Sequence, residues 1–511
     1  MEVIVVGGGI GGLTMALSLH QAGIAVRVYE AVPYLAPLGV GINLQPTAVR
    51  ELTELGLGDV LARAGIATHA LSYFNKFGQL IYTEKRGLAA GYKWPQYSIH
   101  RGQLQLLLLQ AVRERIGDEN FRDGLRFVAF TQNRNRVTAR FRDSTSGTAV
   151  LDEADILVGA DGIHSAVRRQ LHPNEGEPRF AQQLLWRAAV ESEPFLSGRT
   201  MIIAGHFHQR TIVYPIGQAA KSGQLLTNWV CQMAVPDDAP PQEDWNQRIS
   251  KDKVYAAFGK WRFPWLDLPV LIEQTPDIYE FPLVDRDPVE TWTLGRVTLI
   301  GDAAHPMQPI GSQAGSQAIV DARVLTAALL ATSDPIEALQ RYDAERRPLM
   351  NDVTLRNRRF GPEAAMQMAE ERAPSGFDRI EDVISWHELD EINTSFSAAA
   401  GLDVETVNTR PSFVQTHADG SHHRSRGAWP RLSLQRFDDE RPQADSFDHL
   451  VGERQQLVGN LDTERTGGLQ VEHEFEFGGL LDREVGRLLT FENSAGVDAE
   501  LTIGSGIRRA V

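Results

Sequence analysis

Residues 3–13 read VIVVGGGIGGL, and this stretch decides the fold. The run at 3–6 is wholly apolar, as a central parallel strand buried on both faces requires. Gly7, Gly9 and Gly12 then form G-x-G-x-x-G ahead of an apolar helix over 13–22, which Gly23 stops. Gly7 permits the tight turn, Gly9 lets backbone approach a pyrophosphate, and Gly12 lets helix and strand pack closely. Ile10 and Gly11 open the helix, whose N-terminus turns partial positive charge toward the phosphates. A second strand over 26–29 ends at Glu30. A carboxylate there accepts hydrogen bonds from ribose hydroxyls and repels a 2′-phosphate. The stretch is a βαβ opening for a dinucleotide.

The chain has 511 residues, enough for two or three domains, with 42% hydrophobic and 23% charged residues as in soluble globular proteins. Its net charge of -15 argues against a nucleic-acid partner. No apolar run reaches the length of a spanning helix, and no basic n-region precedes residue 3, which reads as a strand and not a signal peptide. The single Cys231 excludes an internal disulfide, offers no metal-ligand spacing and fits a reducing cytoplasm. No metal is expected. A small molecule is the expected partner, with the chain acting as monomer or homodimer.

Working outward, a leucine-rich helix is expected over 101–115, stopped by Gly117, and small antiparallel strands over 127–130 and 136–141, before a turn at Gly147. A buried strand at 156–159 returns to the dinucleotide fold. Strand-like runs at 201–204, 211–214 and 224–230 lie among prolines and tryptophans, as in an inserted, mostly antiparallel sheet. Another buried strand is expected at 297–300, then helices over 317–331 and 336–347, the latter resumed at 351–359. The domains expected are 1–181 (dinucleotide-binding), 182–282 (substrate sheet), 283–415 (dinucleotide-binding continued, with C-terminal helices) and 416–511, either a small appended domain or a partly disordered tail, with short strand-like pieces at 469–477 and 501–503.

Two later motifs refine the cofactor. DILVGADGIHSAVR at 155–168 sets Asp161 and Gly162 after a strand, with Ser165 and Arg168 downstream; a purely structural strand–turn–helix is the alternative. GRVTLIGDAAHPMQPIGS at 295–312 sets Asp302 after a strand, where a carboxylate binds ribityl or ribose hydroxyls. Residues 311–314 then run into a helix, whose N–H groups and dipole suit negative charge on the N1/O2 edge of a reduced flavin. The three motifs in this order point to FAD.

With SIHRGQLQLLL at 98–108, PLVDRDPVETWTLGRVTLIGDAAHPM at 282–307 and SQAIVDAR at 316–323, the chain resembles the single-component FAD-dependent aromatic hydroxylases, the para-hydroxybenzoate and salicylate hydroxylase superfamily, and most of all its phenazine-modifying branch. The resemblance covers about 1–414. It implies a Rossmann-like FAD-binding domain of the para-hydroxybenzoate hydroxylase (GR2) type, carrying an inserted antiparallel substrate sheet and C-terminal helices. It implies that Gly7, Gly9, Gly12 and Glu30 bind the ADP half of FAD, that Arg101 contacts the cofactor, that Asp161 sits near the diphosphate with Gly162, that Asp302 binds the ribityl chain, and that Pro309, Gly311, Ser312, Gln313 and Ala314 line the isoalloxazine. Gly41 lies in a glycine-rich segment (39–44) expected near the flavin. The implied activity is hydroxylation of an aromatic or heteroaromatic molecule in secondary metabolism, with NADH or NADPH as reductant and O2 activated as a flavin C4a-hydroperoxide. One departure stands out: 311–318 reads GSQAGSQA where the family pattern gives GSNGASQA.

Trp186, Tyr214, Pro215 and Trp229 fall in the expected substrate sheet as aromatic and ring walls, with ordinary sheet packing as the alternative. His206 and His208 alternate on a strand-like run and so share a face; the pair is either a proton acceptor for a phenol or two surface histidines. Tyr214, His206 and His305 are the candidates for proton handling. His422 and His423 read as a solvated loop. A flavin halogenase on this scaffold would carry W-x-W-x-I-P, whereas 261–265 reads WRFPW. A reductase or N-oxygenase, and a non-catalytic flavin-binding regulator, are the remaining alternatives.

Overall fold

The computed structural model describes residues 1–36, 40–236 and 247–414. Gly39 and the appended 416–511, with its strand pieces and His422 and His423, lie outside the described residues.

The apolar runs form one parallel sheet in the order Val297–Leu299, Ile156–Gly159, Glu2–Val6, Ala25–Tyr29, Phe121–Arg122. Val3, Ile4 and Val5 are fully buried, as a strand covered on both faces requires. Helix Ile10–Gln21 covers one face and gives way at Gly23, whose φ is 70°. Against it lies helix Ala314–Ala331, so close at Gly11 that a Cβ there would meet the Ala318 Cβ at 3.3 Å. Residues 310–331 are long and apolar enough to cross a bilayer, contrary to the reading of the sequence. Most of that stretch is buried against helices Ile10–Gln21, Pro46–Glu54 and Pro335–Asn357, as in a core helix.

Helix Arg101–Ile116, ended by Gly117 at φ 86°, and the antiparallel strands Leu125–Gln132 and Val137–Asp143 stand where expected, and a third strand not read from the sequence, Ala149–Ala154, pairs with the second. Two helices differ. The one expected from 317 begins at Ala314. The two expected at 336–347 and 351–359 are one helix, Pro335–Asn357, running through Pro348. Its buried stripe Leu339, Tyr342, Arg346, Met350, Val353, Asn357 keeps helical spacing across the proline, and that packing outweighs the lost hydrogen bond.

The second sheet has eight strands in the order Arg248–Ile249, Ile278–Asp285, Arg179–Ser192, Leu225–Ala234, Gln209–Gln218, Thr200–His206, Ala70–Phe74, Leu80–Lys85. All pairings are antiparallel except Thr200–His206 with Ala70–Phe74. The sheet therefore draws two strands from before residue 100. One face carries helices Lys251–Phe258 and Leu268–Gln274 over a tryptophan-rich core. A small antiparallel sheet pairs Gly41–Leu44 with Gln96–His100, which sets Gly41 opposite His100 and beside the start of the Arg101 helix.

Candidate active site

The glycine turn is fixed by its neighbours. Gly7 has φ 109°, and a Cβ on it would strike the Ala160 carbonyl; one on Gly12 would strike the Gly7 carbonyl. The fully buried Glu30 accepts from the Gly8 N–H at 2.7 Å and the Val32 N–H at 2.8 Å, and Gln105 donates to the Gly8 carbonyl at 2.9 Å. Gly9 and the first turn of helix Ile10–Gln21 have no side-chain cap, which leaves that N-terminus for an anion. The second motif is tied up locally. Asp161 accepts from Ser165 Oγ at 2.5 Å and from the Ala166 and Val167 N–H groups at 2.7 and 3.2 Å, capping the next helix, while Gly162 makes the turn at φ 74°. Burial pushes the Asp161 carboxyl up against those bonds. Arg168 links this motif to the third, donating to the Ala303 and Ala304 carbonyls at 3.0 and 2.6 Å.

Asp302 follows the third strand and lines a cavity with Arg101, Ile10 and residues 309–315. Burial raises its carboxyl, opposed by His305 and Arg101. The departing loop is held by its own side chains. Gly311 and Ser312 take φ 65° and 55°. Gln313 Nε2 donates to the Gly311 carbonyl at 2.9 Å, and its Oε1 accepts from Gln317 at 3.0 Å. A Cβ on Gly315 would lie 2.6 Å from Ile42 Cδ1, so the displaced glycine stands where Ile42 comes in. The helix from Ala314 has neither a side-chain cap nor an acid in its first turn, and its N-terminus opens on the cavity.

The cavity holds about 170 Å³ between this loop and the other face of the eight-stranded sheet, part of which also packs against helix Ala364–Arg372. Leu71, Ile203, Ile212 and Val230 give it an apolar wall, into which Tyr214 and Arg187 also project. Burial pushes the Tyr214 hydroxyl up to about 12, with Arg187 pulling the other way, so it stays protonated at neutral pH. Burial lowers Arg187 to about 10, with Tyr214 and Arg101 acting in opposite senses, so it stays charged. Arg187 Nε is buried without a hydrogen-bond partner, and no acid among the described residues forms an ion pair with Arg187. A half-buried cation with an unmatched inner N–H offers itself to an anionic partner.

Several expected residues stand elsewhere. Trp186 and Trp229 face the opposite side of the sheet, where their indole N–H groups donate to Glu280 and Thr275 at 2.7 and 2.9 Å within the core over the two helices. Pro215 does not line the cavity, because strand alternation turns it away from Tyr214. His206 ends its strand, and Phe207 and His208 make the turn, so the histidines do not share a strand face; they meet edge-on at 6.1 Å, outside the cavity. His305 is buried with its Nε2 2.5 Å from Asp321, which Arg346 also holds at 2.7 Å; it belongs to this core cluster and does not line the cavity. Arg187 was the residue missed. It neighbours Trp186 in sequence, and only the pairing of its strand reveals which of the two faces inward. Among the described residues no cluster of metal-ligating side chains is present.

The FAD binding domain family model matches residues 1–357. The chain is 47% identical over 363 residues to the phenazine 1,6-dicarboxylic acid hydroxylase PhzS of Lysobacter antibioticus, spanning 70% of this chain and 89% of that protein. It is 34% identical to an aurachin C monooxygenase/isomerase of Stigmatella aurantiaca, over 71% and 89% of the two chains. Among solved structures it is similar to Klebsiella pneumoniae HpxO complexed with FAD and uric acid, with a TM-score of 0.62 and 25% identity over 80% of this chain and 98% of that one.

Proposed function

The chain belongs to the FAD binding domain family, as an FAD-dependent aromatic hydroxylase, and from that premise we propose that it hydroxylates an aromatic or heteroaromatic acid with NADH or NADPH and O2. The observation that carries the acid is Arg187, a half-buried arginine whose buried Nε lacks a hydrogen-bond partner and which pairs with no acid among the described residues, set in an apolar wall beside Tyr214. The relative with 47% identity is named for a phenazine dicarboxylic acid, which fits such a wall.

In this reading Gly7, Gly9, Ile10, Gly11, Gly12 and Glu30 hold the ADP half of FAD on the uncapped helix N-terminus. Arg101, Asp161, Gly162 and Asp302 serve its diphosphate and ribityl portions, and Gly41, Pro309, Gly311, Ser312, Gln313 and Ala314 face its ring. The glycine turn fits such a group: Gly7 and Gly12 leave no room for side chains, and the N–H groups beyond them lack a cap. FAD, once bound, supplies the electron transfer and oxygen activation that no side chain offers. The chain does the rest. Arg187 neutralises the substrate acid and fixes the ring against Val230 and Ile212. Tyr214, held as a neutral hydroxyl, donates to a ring substituent. The sheet and residues 309–315 exclude water from the face where oxygen is transferred. The reducing cytoplasm is the proposed compartment.

The purified protein, incubated with NADH or NADPH and a panel of aromatic acids, should oxidise the nicotinamide faster in the presence of one of them. The product should gain one oxygen atom from labelled O2 by mass. Stimulation by no acid, or a product without labelled oxygen, would overturn the reading.

A further inference from the structure

His206 and His305 lie outside the cavity, and Tyr214 holds its proton. Among the described residues that line the cavity there is no histidine or cysteine, and the only carboxylates are Asp302 and Glu363. Asp302 serves the cofactor in the reading above, whereas Glu363 has no such task. Glu363 is buried, and Arg210 Nη1 donates to its Oε2. No described residue donates to its Oε1. Arg210 is itself held, its Nε and Nη2 donating to Gln232 Oε1 at 3.1 and 3.0 Å, and Gln232 Nε2 donates to Gln183 Oε1. The turn that brings Glu363 in packs on residues 310–312 of the loop proposed to face the flavin ring. In that turn Phe360 takes φ 70°, costly for a bulky residue, and Gly361 takes φ 44°. Backbone strain of this kind gathers at functional sites.

Strand register sets Glu363 against the rest of the site. Arg210, Ile212 and Tyr214 follow one another on one face of strand Gln209–Gln218, each roughly 7 Å from the next along the backbone. Across the strands Ile212 pairs with Val230, and Val230 with Arg187. Ile212 is thus the centre of a cross. Along its strand stand Tyr214 on one side and the Arg210–Glu363 pair on the other, and across the sheet lie Val230 and Arg187. A flat ring resting on Ile212 and Val230 has a hydroxyl donor at one edge and a carboxylate at the opposite edge. Burial raises the Glu363 carboxyl, opposed by Arg210, which is the direction that suits a group taking up and releasing a proton near neutral pH.

We propose that Glu363 accepts the proton lost from the ring carbon that is hydroxylated, with Arg210 as its positioning residue. This rests on the aromatic-acid reading above. One atom of O2 forms the C–O bond, using an electron pair of the ring. The other atom leaves as water, reduced by the two electrons of NADH or NADPH. The C–H bond at the attacked carbon then breaks: its electron pair restores the aromatic ring and its proton passes to Glu363 Oε1. Glu363 gives that proton up when the hydroxylated product leaves.

The test gives the FAD-loaded protein 2-naphthoate, quinoline-2-carboxylate and phenazine-1-carboxylate, each with hydrogen or with deuterium on the ring, for the wild type, Glu363→Gln and Glu363→Asp. Glu363→Gln should keep its flavin absorbance and its KM for the acid while kcat falls by roughly a hundredfold or more. Its turnover of the deuterated acid should be slower still, a difference that the wild type does not show. Glu363→Asp, which sets the carboxylate back by one methylene, should show a smaller loss with the same isotope difference, and it carries the test if Glu363→Gln fails to fold. A pair that is merely structural would cost stability or flavin retention without any isotope difference. Wild-type kcat in the variants, or a loss that is equal for the two isotopes, would overturn the role of Glu363 and leave the aromatic-acid reading standing. So would a product in which oxygen replaces the carboxyl group and not a ring hydrogen. No turnover of any of the three acids by the wild type would overturn both.

Discussion

Tyr214 lies so close to Gly41 that a Cβ built on the glycine would stand 2.5 Å from the tyrosine Cε2 and 2.7 Å from Ile216 Cγ2. The same glycine donates its N–H to Asn228 Oδ1 at 2.8 Å, on the strand residue paired with Tyr214. Gly41 thereby joins the strand leading to Arg101 to the sheet that walls the cavity. Gly41→Val should displace Tyr214 into the cavity and cost about 1–3 kcal/mol of stability by overpacking. Aromatic-acid affinity should fall, and FAD retention should weaken with it, because Gly41 is also proposed to face the flavin ring. A melting curve and flavin titration check this, and unchanged acid affinity would count against Tyr214 as a substrate contact.

Trp186 and Arg187 are neighbours in sequence and opposites in placement. Trp186→Ala should destabilise the protein by about 3–5 kcal/mol, as for other buried aromatics, through the helix-covered core. Arg187→Gln should leave stability close to wild type and raise KM for an acidic substrate by roughly tenfold or more, with less effect on its uncharged amide analogue. Equal losses for the acid and the amide would show that Arg187 does not read charge.

This pair also marks how far the sequence could be read. The strands at 3–6, 26–29, 156–159 and 297–300 were legible because each is an apolar run bounded by glycine or an acid. The inward face of the substrate sheet was not, because Trp186, Pro215 and Trp229 differ from their inward neighbours by one residue of register. Strands Ala70–Phe74 and Leu80–Lys85 join that sheet through a pairing with Thr200–His206 that no local pattern announces. His305 was legible as part of a motif, but its commitment to Asp321 depends on a helix that folds back from further along the chain.

Asp321 is fully buried between His305 and Arg346. Burial pushes its carboxyl up, but His305 and Arg346 outweigh this and hold it at about 2. A carboxyl depressed in the folded state contributes stability that is complete above its unfolded value, about 4, and is lost as pH falls toward 2. Unfolding measured by denaturant should therefore show the wild type losing on the order of 2 kcal/mol from this group across that window. Asp321→Asn should be destabilised at neutral pH and show a correspondingly smaller loss on acidification. A parallel pH dependence in the two proteins would contradict the assignment.

Gly315 and Ile42 explain the departing loop. A Cβ at 315 would sit 2.6 Å from Ile42 Cδ1, so the order Ala314-Gly315 goes with an isoleucine on the strand below. Gly315→Ala alone should cost about 1–3 kcal/mol through overpacking and weaken FAD retention by shifting the N-terminus of helix Ala314–Ala331. Ile42→Ala alone removes a half-buried side chain at the cavity edge and should cost less than the roughly 2–5 kcal/mol of a buried truncation. Combined, the two changes should be less damaging than their sum, since each relieves the other's defect. Strict additivity in melting and flavin-release measurements would show that the glycine is placed for some other contact. A favourable coupling, with flavin retention recovered in the double variant, would assign the loop's altered order to packing against Ile42.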